Sequence, residues 1–384
     1  MLPSAAPVHD VSSTQPEAGT ALCLSGGGYR AMLFHVGCVW LLNDLGKLGS
    51  LKRISSVSGG SITAGVLGMN WSSLGLSPAM PGVARERFVE YFVTPVRAVA
   101  SATIDEGAVF GGILLPGTIS NHVAQKYDDL AFHGKTLQDL PGDAQGPRFV
   151  INATNVQSGV LVRFSKPYLW DYRVGRVVNP ALPLAHAVAA SSAFPPILSP
   201  CEIDLAKFGL HMEPADGTED LHMPPYTTKL VLSDGGVYDN LGLETAWKRY
   251  DSLLVSDGGG HYQPEPAPHT DWARHAFRVL DLIDSQVRAL RARQLITLFQ
   301  QQERKGAYWS IRQQIATYGD PPVLACDPER TRELAATPTR LKEMDPTLQE
   351  RLINWGYAIS DAALRKYGNV GLPPPTFPYP AIGV

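Results

Sequence analysis

The sequence predicts an α/β fold built on a parallel sheet, and three patterns carry that prediction. Apolar segments of strand length at 20–24 and 54–57 each pass through a tight turn of small residues straight into a helical pattern. Two further buried-strand patterns, 229–233 and 252–256, each run directly into Asp-Gly-Gly. Strand, turn and helix in that order is how parallel strands are connected. With 384 residues, 44% hydrophobic and 18% charged, the chain can bury a large core and is not a disordered one.

The elements follow in order. Residues 1–19 read as a flexible tail, with neither the cationic nor the apolar stretch of a signal peptide. After the strand at 20–24, Met32, Val36, Val39 and Trp40 place one apolar face on a helix over 30–45. The strand at 54–57 leads into a second apolar helix that extends toward Met69. A helical pattern returns at 83–100, and the small-residue stretch 101–117 reads as a lid or substrate-facing loop. Segments 149–155 and 160–164, around Gln157-Ser158-Gly159, read as a strand pair. Residues 183–191 look helical and stop before Phe194-Pro195-Pro196.

A long helix is expected over 271–303, with Phe277, Leu280, Leu282, Ile283 and Val287 apolar and arginines on its remaining faces. Another is expected over 346–366, ahead of a proline-rich tail at 371–384. No linker divides the chain, so one domain over 20–370 is expected. The best candidate for a membrane span, 96–115, is interrupted by Arg97, Asp105 and Glu106, so any membrane contact is expected to be peripheral.

Lys plus Arg number 33 against 36 for Asp plus Glu, a formal charge of −3 that gives no electrostatic reason to expect nucleic acid. Cys23, Cys38, Cys201 and Cys326 form no metal-type cluster with histidine, and a reduced, cytoplasmic setting is expected. No metal or other cofactor is implied, and dedicated calcium binding is not expected.

Three motifs carry chemistry. Ser58-Gly59-Gly60, at the end of one strand and the start of a helix, fits a nucleophile elbow, where a sharp turn needs small neighbours. Ser56 stands where that pattern usually has glycine. Ser61 is the competing nucleophile, and a serine N-cap on an ordinary strand–helix turn gives the same local pattern. Ser25-Gly26-Gly27-Gly28-Tyr29-Arg30 offers backbone amides for an oxyanion; it fits neither GxGxxG nor the lysine-containing phosphate loop. Arg30, just after the turn, either holds the loop in shape or meets an anionic head group.

The third motif is Asp234-Gly235-Gly236, continued by Val237 and Asn240. A carboxylate at a strand end, partly desolvated, becomes a better base toward a serine hydroxyl. Asp257 has the same local chemistry without the Val-x-x-Asn continuation, and either aspartate can simply stabilise a turn.

The ordered set of the Ser25–Arg30 glycine turn, Ser58-Gly59-Gly60 and Asp234-Gly235-Gly236 resembles the patatin-like phospholipases. Ala189-Ala190-Ser191-Ser192-Ala193-Phe194-Pro195-Pro196 is similar to the stretch that family carries between its nucleophile and aspartate. The resemblance runs from about Ala21 to Asn240. It implies a three-layer α/β/α fold with a mostly parallel central sheet, and a Ser–Asp dyad acting on a lipid or ester substrate. Carried over by position, Ser58 attacks and Asp234 accepts its proton. Amides of Gly26, Gly27 and Gly28, with Gly59, hold the oxyanion.

Three other readings remain open. A Ser–His–Asp hydrolase would use Ser58, Asp234 and His261, while His35 and His269 are more ordinary positions. A non-catalytic lipid-binding protein would use the same fold, and an acyltransferase would differ only in the final acceptor. Phe92 and Phe110 are candidates for the pocket that sets substrate preference.

Overall fold

The computed structural model describes residues 15–104, 118–215, 220–260, 262–319, 323–368 and 372–384. The predicted 1–19 tail therefore lies mostly outside the described residues, as do His261, Phe110 and most of 101–117.

The chain begins with β1 (Glu17–Leu24), α1 (Gly28–Asp44), β2 (Arg53–Ser56) and α2 (Gly59–Met69), the two strand–turn–helix units expected. The helical pattern at 83–100 resolves into a short turn, a π-helical segment and α3 (Thr94–Ala100) rather than one helix. Next come α4 (Thr118–Tyr127), the hairpin β3 (Arg148–Asn155) and β4 (Val160–Phe164), then β5 (Tyr168–Asp171), β6 (Gly175–Val178) and α5 (Leu184–Ser191). β7 (Cys201–Asp204), β8 (Lys229–Asp234), β9 (Tyr250–Asp257), α6 (Trp272–Gln300), β10 (Lys305–Ser310), α7 (Pro328–Ala336) and α8 (Pro346–Tyr367) complete the described order.

The strands form one ten-stranded sheet. In the half ordered β10–β9–β1–β2–β3, every neighbouring pair is parallel, as the strand–turn–helix pattern predicts. Beyond β3 the sheet continues antiparallel through β4, β5 and β6, so the whole is mixed. The two sides of β1 show the layering. Leu22 and Leu24 point into a large core with α1, α2 and α8, while Ala21 and Cys23 point into a smaller one with Leu241, Val255 and Leu295 of α6.

α1 departs from the expected single apolar face. It is buried all round, because α8 crosses its far side. The crossing is close: a Cβ on Gly37 would lie 1.9 Å from the Ile353 carbonyl oxygen, and one on Gly356 would lie 1.9 Å from that of Phe34.

One feature of register positions the site. β2 pairs with the first half of β3, Arg148–Ile151, in parallel. β8 pairs antiparallel with Ala153–Asn155 of the same strand. The two strands therefore point their C-terminal ends at each other. Ser58 follows one end, and Asp234 is the other.

Candidate active site

Ser58 sits between β2 and α2 with φ 51° and ψ −121°, a conformation costly for a residue with a Cβ. The surroundings hold it there. Its N–H donates to Ser191 Oγ at 3.0 Å, and that hydroxyl donates to the Asn152 carbonyl at 2.6 Å. Gly59 must be glycine, since a Cβ would lie 2.1 Å from the Gly28 carbonyl oxygen. Ser56 fits the elbow, buried with its Oγ 3.0 Å from Ser61 Oγ. Ser61 is fully buried and also lies 2.9 Å from Ser191 Oγ, so it supports the turn and does not line the cavity.

Asp234 is pinned through its backbone. Its N–H donates to the Ala193 carbonyl at 2.9 Å, and its carbonyl accepts Thr154 Oγ1 at 2.8 Å. Oδ1 accepts the Gly236 N–H at 2.7 Å, whereas Oδ2 is buried without a hydrogen-bond partner. Burial pushes this carboxyl up to about 7; the Gly236 amide and the Ser58 hydroxyl favour its charged form, and the Asp284 charge opposes it. Ser58 is 9% exposed and Asp234 only 2%, so the hydroxyl faces the cavity and the carboxylate lies deeper.

Asp257 has the same sequence surroundings and the opposite environment. Burial alone would raise it, but Arg312, 2.5 Å away, together with Arg288 and the Gly259 N–H, brings it down to about 2. Tyr308 also donates to its Oδ2 at 2.8 Å. This aspartate stays ionised in an ion pair, is a weak base, and does not line the cavity.

The glycine turn enters α1 with Gly27 at φ 142° and Gly28 at φ 61°, both open to glycine and strained for other residues. Gly26, Gly27 and Gly28 all line the cavity beside Ser58. The Gly26 amide, however, is already used. It donates to Asn240 Oδ1 at 3.0 Å and to the Asn240 carbonyl at 3.1 Å, which corrects its assignment as an oxyanion donor. The amides of Gly27, Gly28 and Gly59 have no acceptor among the described residues. Gly28 and Gly59 open α1 and α2, where free N–H groups and the positive dipole end favour anions.

Arg30 holds the loop in shape and does not line the cavity. It is buried, with Nε donating to the Gly258 carbonyl at 3.1 Å, Nη2 to Thr339 Oγ1 at 2.9 Å, and Nη1 to the Thr337 carbonyl. Three of its five N–H groups are committed to the protein, and the buried side chain lies outside the cavity lining, out of place for a head group. This corrects its assignment as a substrate-binding residue. Asn240 was visible in the sequence only as the tail of the aspartate motif. It links the glycine turn to α6, because its Nδ2 donates to both Asp284 oxygens at 3.1 and 3.3 Å.

The cavity that holds Ser58 and Asp234 has a volume of about 610 Å³. Its apolar walls come from Phe194, Ile197, Leu198 and Phe277, with Asp281 and Asp284 of α6 on another side. A larger hollow of about 900 Å³, beside Asp44, Arg85 and Tyr357, contains neither. Phe92, expected to shape the pocket, is instead fully buried in the main core, packed on Phe88.

His35 is interior. Its ring bridges Ser256 Oγ at 2.8 Å and the Ser25 carbonyl at 2.9 Å, and burial lowers it to about 4. His269 is exposed. All four cysteines are free thiols. Among the described residues, no helix is long and apolar enough to cross a membrane.

Comparison with solved structures finds the human GIVD cytosolic phospholipase A2 in complex with methyl gamma-linolenyl fluorophosphonate inhibitor and terbium chloride. The TM-score is 0.50 at 14% identity, over 90% of this chain and 58% of that one. Another human GIVD cytosolic phospholipase A2 structure matches at TM-score 0.47 and 13% identity, over 91% and 61%. VipD from Legionella pneumophila matches at 0.36 and 15%, over 92% and 67%. The chain thus spans about three fifths of the length of the human chains. No curated protein matches the sequence. Residues 22–247, more than half of the chain and the stretch that carries the glycine turn, Ser58 and Asp234, match the model of the patatin-like phospholipases, and the protein belongs to that family.

Proposed function

We propose that the protein is a serine hydrolase that cleaves fatty acyl ester bonds of lipids, with Ser58 as nucleophile and Asp234 as general base. Patatin-like phospholipases use such a dyad, and the matched segment carries both residues. The observation that carries the reading is the buried Asp234 carboxyl, shifted to about 7 and interacting with the Ser58 hydroxyl, while its Oδ1 is held by the Gly236 N–H.

In this reading Oδ2 accepts the Ser58 proton as Oγ bonds to the acyl carbonyl carbon. The Gly27, Gly28 and Gly59 amides stabilise the oxyanion. As the tetrahedral adduct collapses, the ester C–O bond breaks, and Asp234 returns the proton to the departing alcohol. Water, deprotonated by the same carboxylate, then attacks the acyl-enzyme; the acyl–Oγ bond breaks, Asp234 returns the proton to Ser58 Oγ, and the fatty acid leaves. The apolar walls at Phe194, Ile197 and Phe277 suit an acyl chain. A lipid substrate supplied at a surface fits peripheral membrane contact.

Ser58→Ala is expected to lower kcat/KM on a soluble p-nitrophenyl ester by about 10⁴-fold or more. Unchanged turnover overturns the assignment. A Ser–His–Asp arrangement draws on one observation: Gly260 and Tyr262, which flank His261, line the cavity. His261→Ala separates the two, since a dyad enzyme keeps its activity and a triad enzyme loses nearly all of it.

A further inference from the structure

Ser191 and Ser192 stand side by side at the end of α5, and their hydroxyls go to different places. Ser192 Oγ donates to the Val188 carbonyl at 2.8 Å, the back-bond that a serine makes within its own helix. Ser191 Oγ leaves the helix altogether. It donates to the Asn152 carbonyl of β3 at 2.6 Å and accepts the Ser58 N–H at 3.0 Å. No other acceptor meets that amide among the described residues, and it belongs to a residue held at φ 51°.

β2 and β8 do not pair with each other, so something else has to set the spacing between Ser58 and Asp234. β2 follows β3 as far as Ile151, β8 joins it from Ala153, and Asn152 is the residue between. Asn152 Nδ2 donates to the Ser56 carbonyl at 2.9 Å and to Ser55 Oγ at 3.0 Å, so Asn152 also holds the strand that leads to Ser58. The base is held from the same place. The Ser191 carbonyl accepts the Gly235 N–H at 3.3 Å, and the Ala193 carbonyl accepts the Asp234 N–H at 2.9 Å. The short stretch from Ser191 to Ala193 thus grips the backbone of both members of the dyad. It lies within the 189–196 segment that stood out in the sequence without a part in the chemistry.

We propose that Ser191 is a positioning residue, whose hydroxyl and carbonyl together fix the Ser58 hydroxyl at reacting distance from the Asp234 carboxyl. This rests on the acyl hydrolase reading above. Ser191 is fully buried and does not line the cavity, so it acts through Ser58 and does not touch the substrate. Loss of its oxygen should therefore appear in kcat and leave KM nearly unchanged.

The test follows turnover of a soluble p-nitrophenyl ester by the full chain, with the final extent of fluorophosphonate labelling counting the folded, reactive sites. Ser191→Ala is expected to lower kcat per labelled site about 100-fold, the effect of misplacing a reacting group by about 1 Å, with KM within about 3-fold of native. Ser191→Thr and Ser191→Val are nearly alike in shape and differ in the oxygen, which separates the acceptor from the volume it fills. The threonine variant should keep kcat within about 5-fold of native, and the valine variant should fall with alanine. Native kcat per labelled site in Ser191→Ala overturns the proposal, because a merely structural role lowers the melting temperature and not the turnover of folded sites. Equal kcat in the threonine and valine variants overturns it too, as does a KM that rises as far as kcat falls. Ser58→Ala marks the other failure. If that variant still turned over the ester, the hydrolase reading would fall; if it were inactive and the Ser191 variants native, only the positioning role would.

Discussion

Asp234 and Asp257 each end a strand and each precede two glycines, yet their carboxyl groups move in opposite directions, to about 7 and about 2. The sequence left them as rivals, separated only by the Val-x-x-Asn that follows Asp234. What decides between them lies far along the chain: Arg288 and Arg312 act on Asp257, and among the described residues no cation is a cause of the Asp234 shift. Keeping a base in a dry site works against stability. In the folded protein Asp234 holds its proton up to about pH 7, while the unfolded chain releases it near its ordinary value of 3.8. Stability therefore falls as pH rises through that window, by about 1.4 kcal/mol per unit and about 4 kcal/mol at most. Asp234→Asn is accordingly expected to raise the melting temperature at pH 8 and to have little effect at pH 4, as calorimetry would record. Asp284 allows a narrower test. Its charge raises Asp234, and its carboxylate orients Asn240, which holds the Gly26 N–H. Asp284→Asn keeps an acceptor for Asn240 and removes the charge. The acid limb of the kcat/KM profile should then move to lower pH, and a limb that stays in place would count against the coupling.

At the scale of elements, the long periodic segments were legible. α1, α2, α6 and α8, and strands β1 to β4, β8 and β9, stand within a few residues of the expected ranges. The antiparallel end was not, because β5, β6 and β7 are four residues each and give no alternation long enough to read. Nor could periodicity tell which side of α6 would face inward, since it reports an apolar stripe without its direction. The α1–α8 crossing was equally hidden: Gly37 and Gly356 look unremarkable in sequence, and their need appears only where two backbones meet. Gly356→Ala is expected to cost about 1–3 kcal/mol by forcing the helices apart, despite alanine's better helix propensity. A chemical denaturation midpoint at or above the native value would contradict that packing.

Across the whole molecule, the site is assembled by topology. No local pattern shows that β2 and β8 share one edge of β3, yet that arrangement brings Ser58 and Asp234 together. The glycine turn is likewise held from a distance, by Asn240, by Thr337 and Thr339 through Arg30, and by the Arg340 carbonyl accepting the Tyr29 N–H at 3.1 Å. The segment beyond the family match is thus part of what shapes the cavity, and Trp309 and Trp355 share a core with Leu22 and Ile54. The motifs named candidate residues, and the fold corrected two of the roles read for them, at Gly26 and Arg30. If a dry carboxylate activates one particular hydroxyl, covalent labelling by a fluorophosphonate, read by mass spectrometry, must depend on pH. A single adduct is expected on Ser58, formed at a rate that rises with a midpoint near pH 7 and nearly abolished in Asp234→Asn. An adduct on another residue, or a rate at Ser58 indifferent to both pH and Asp234, would contradict that activation.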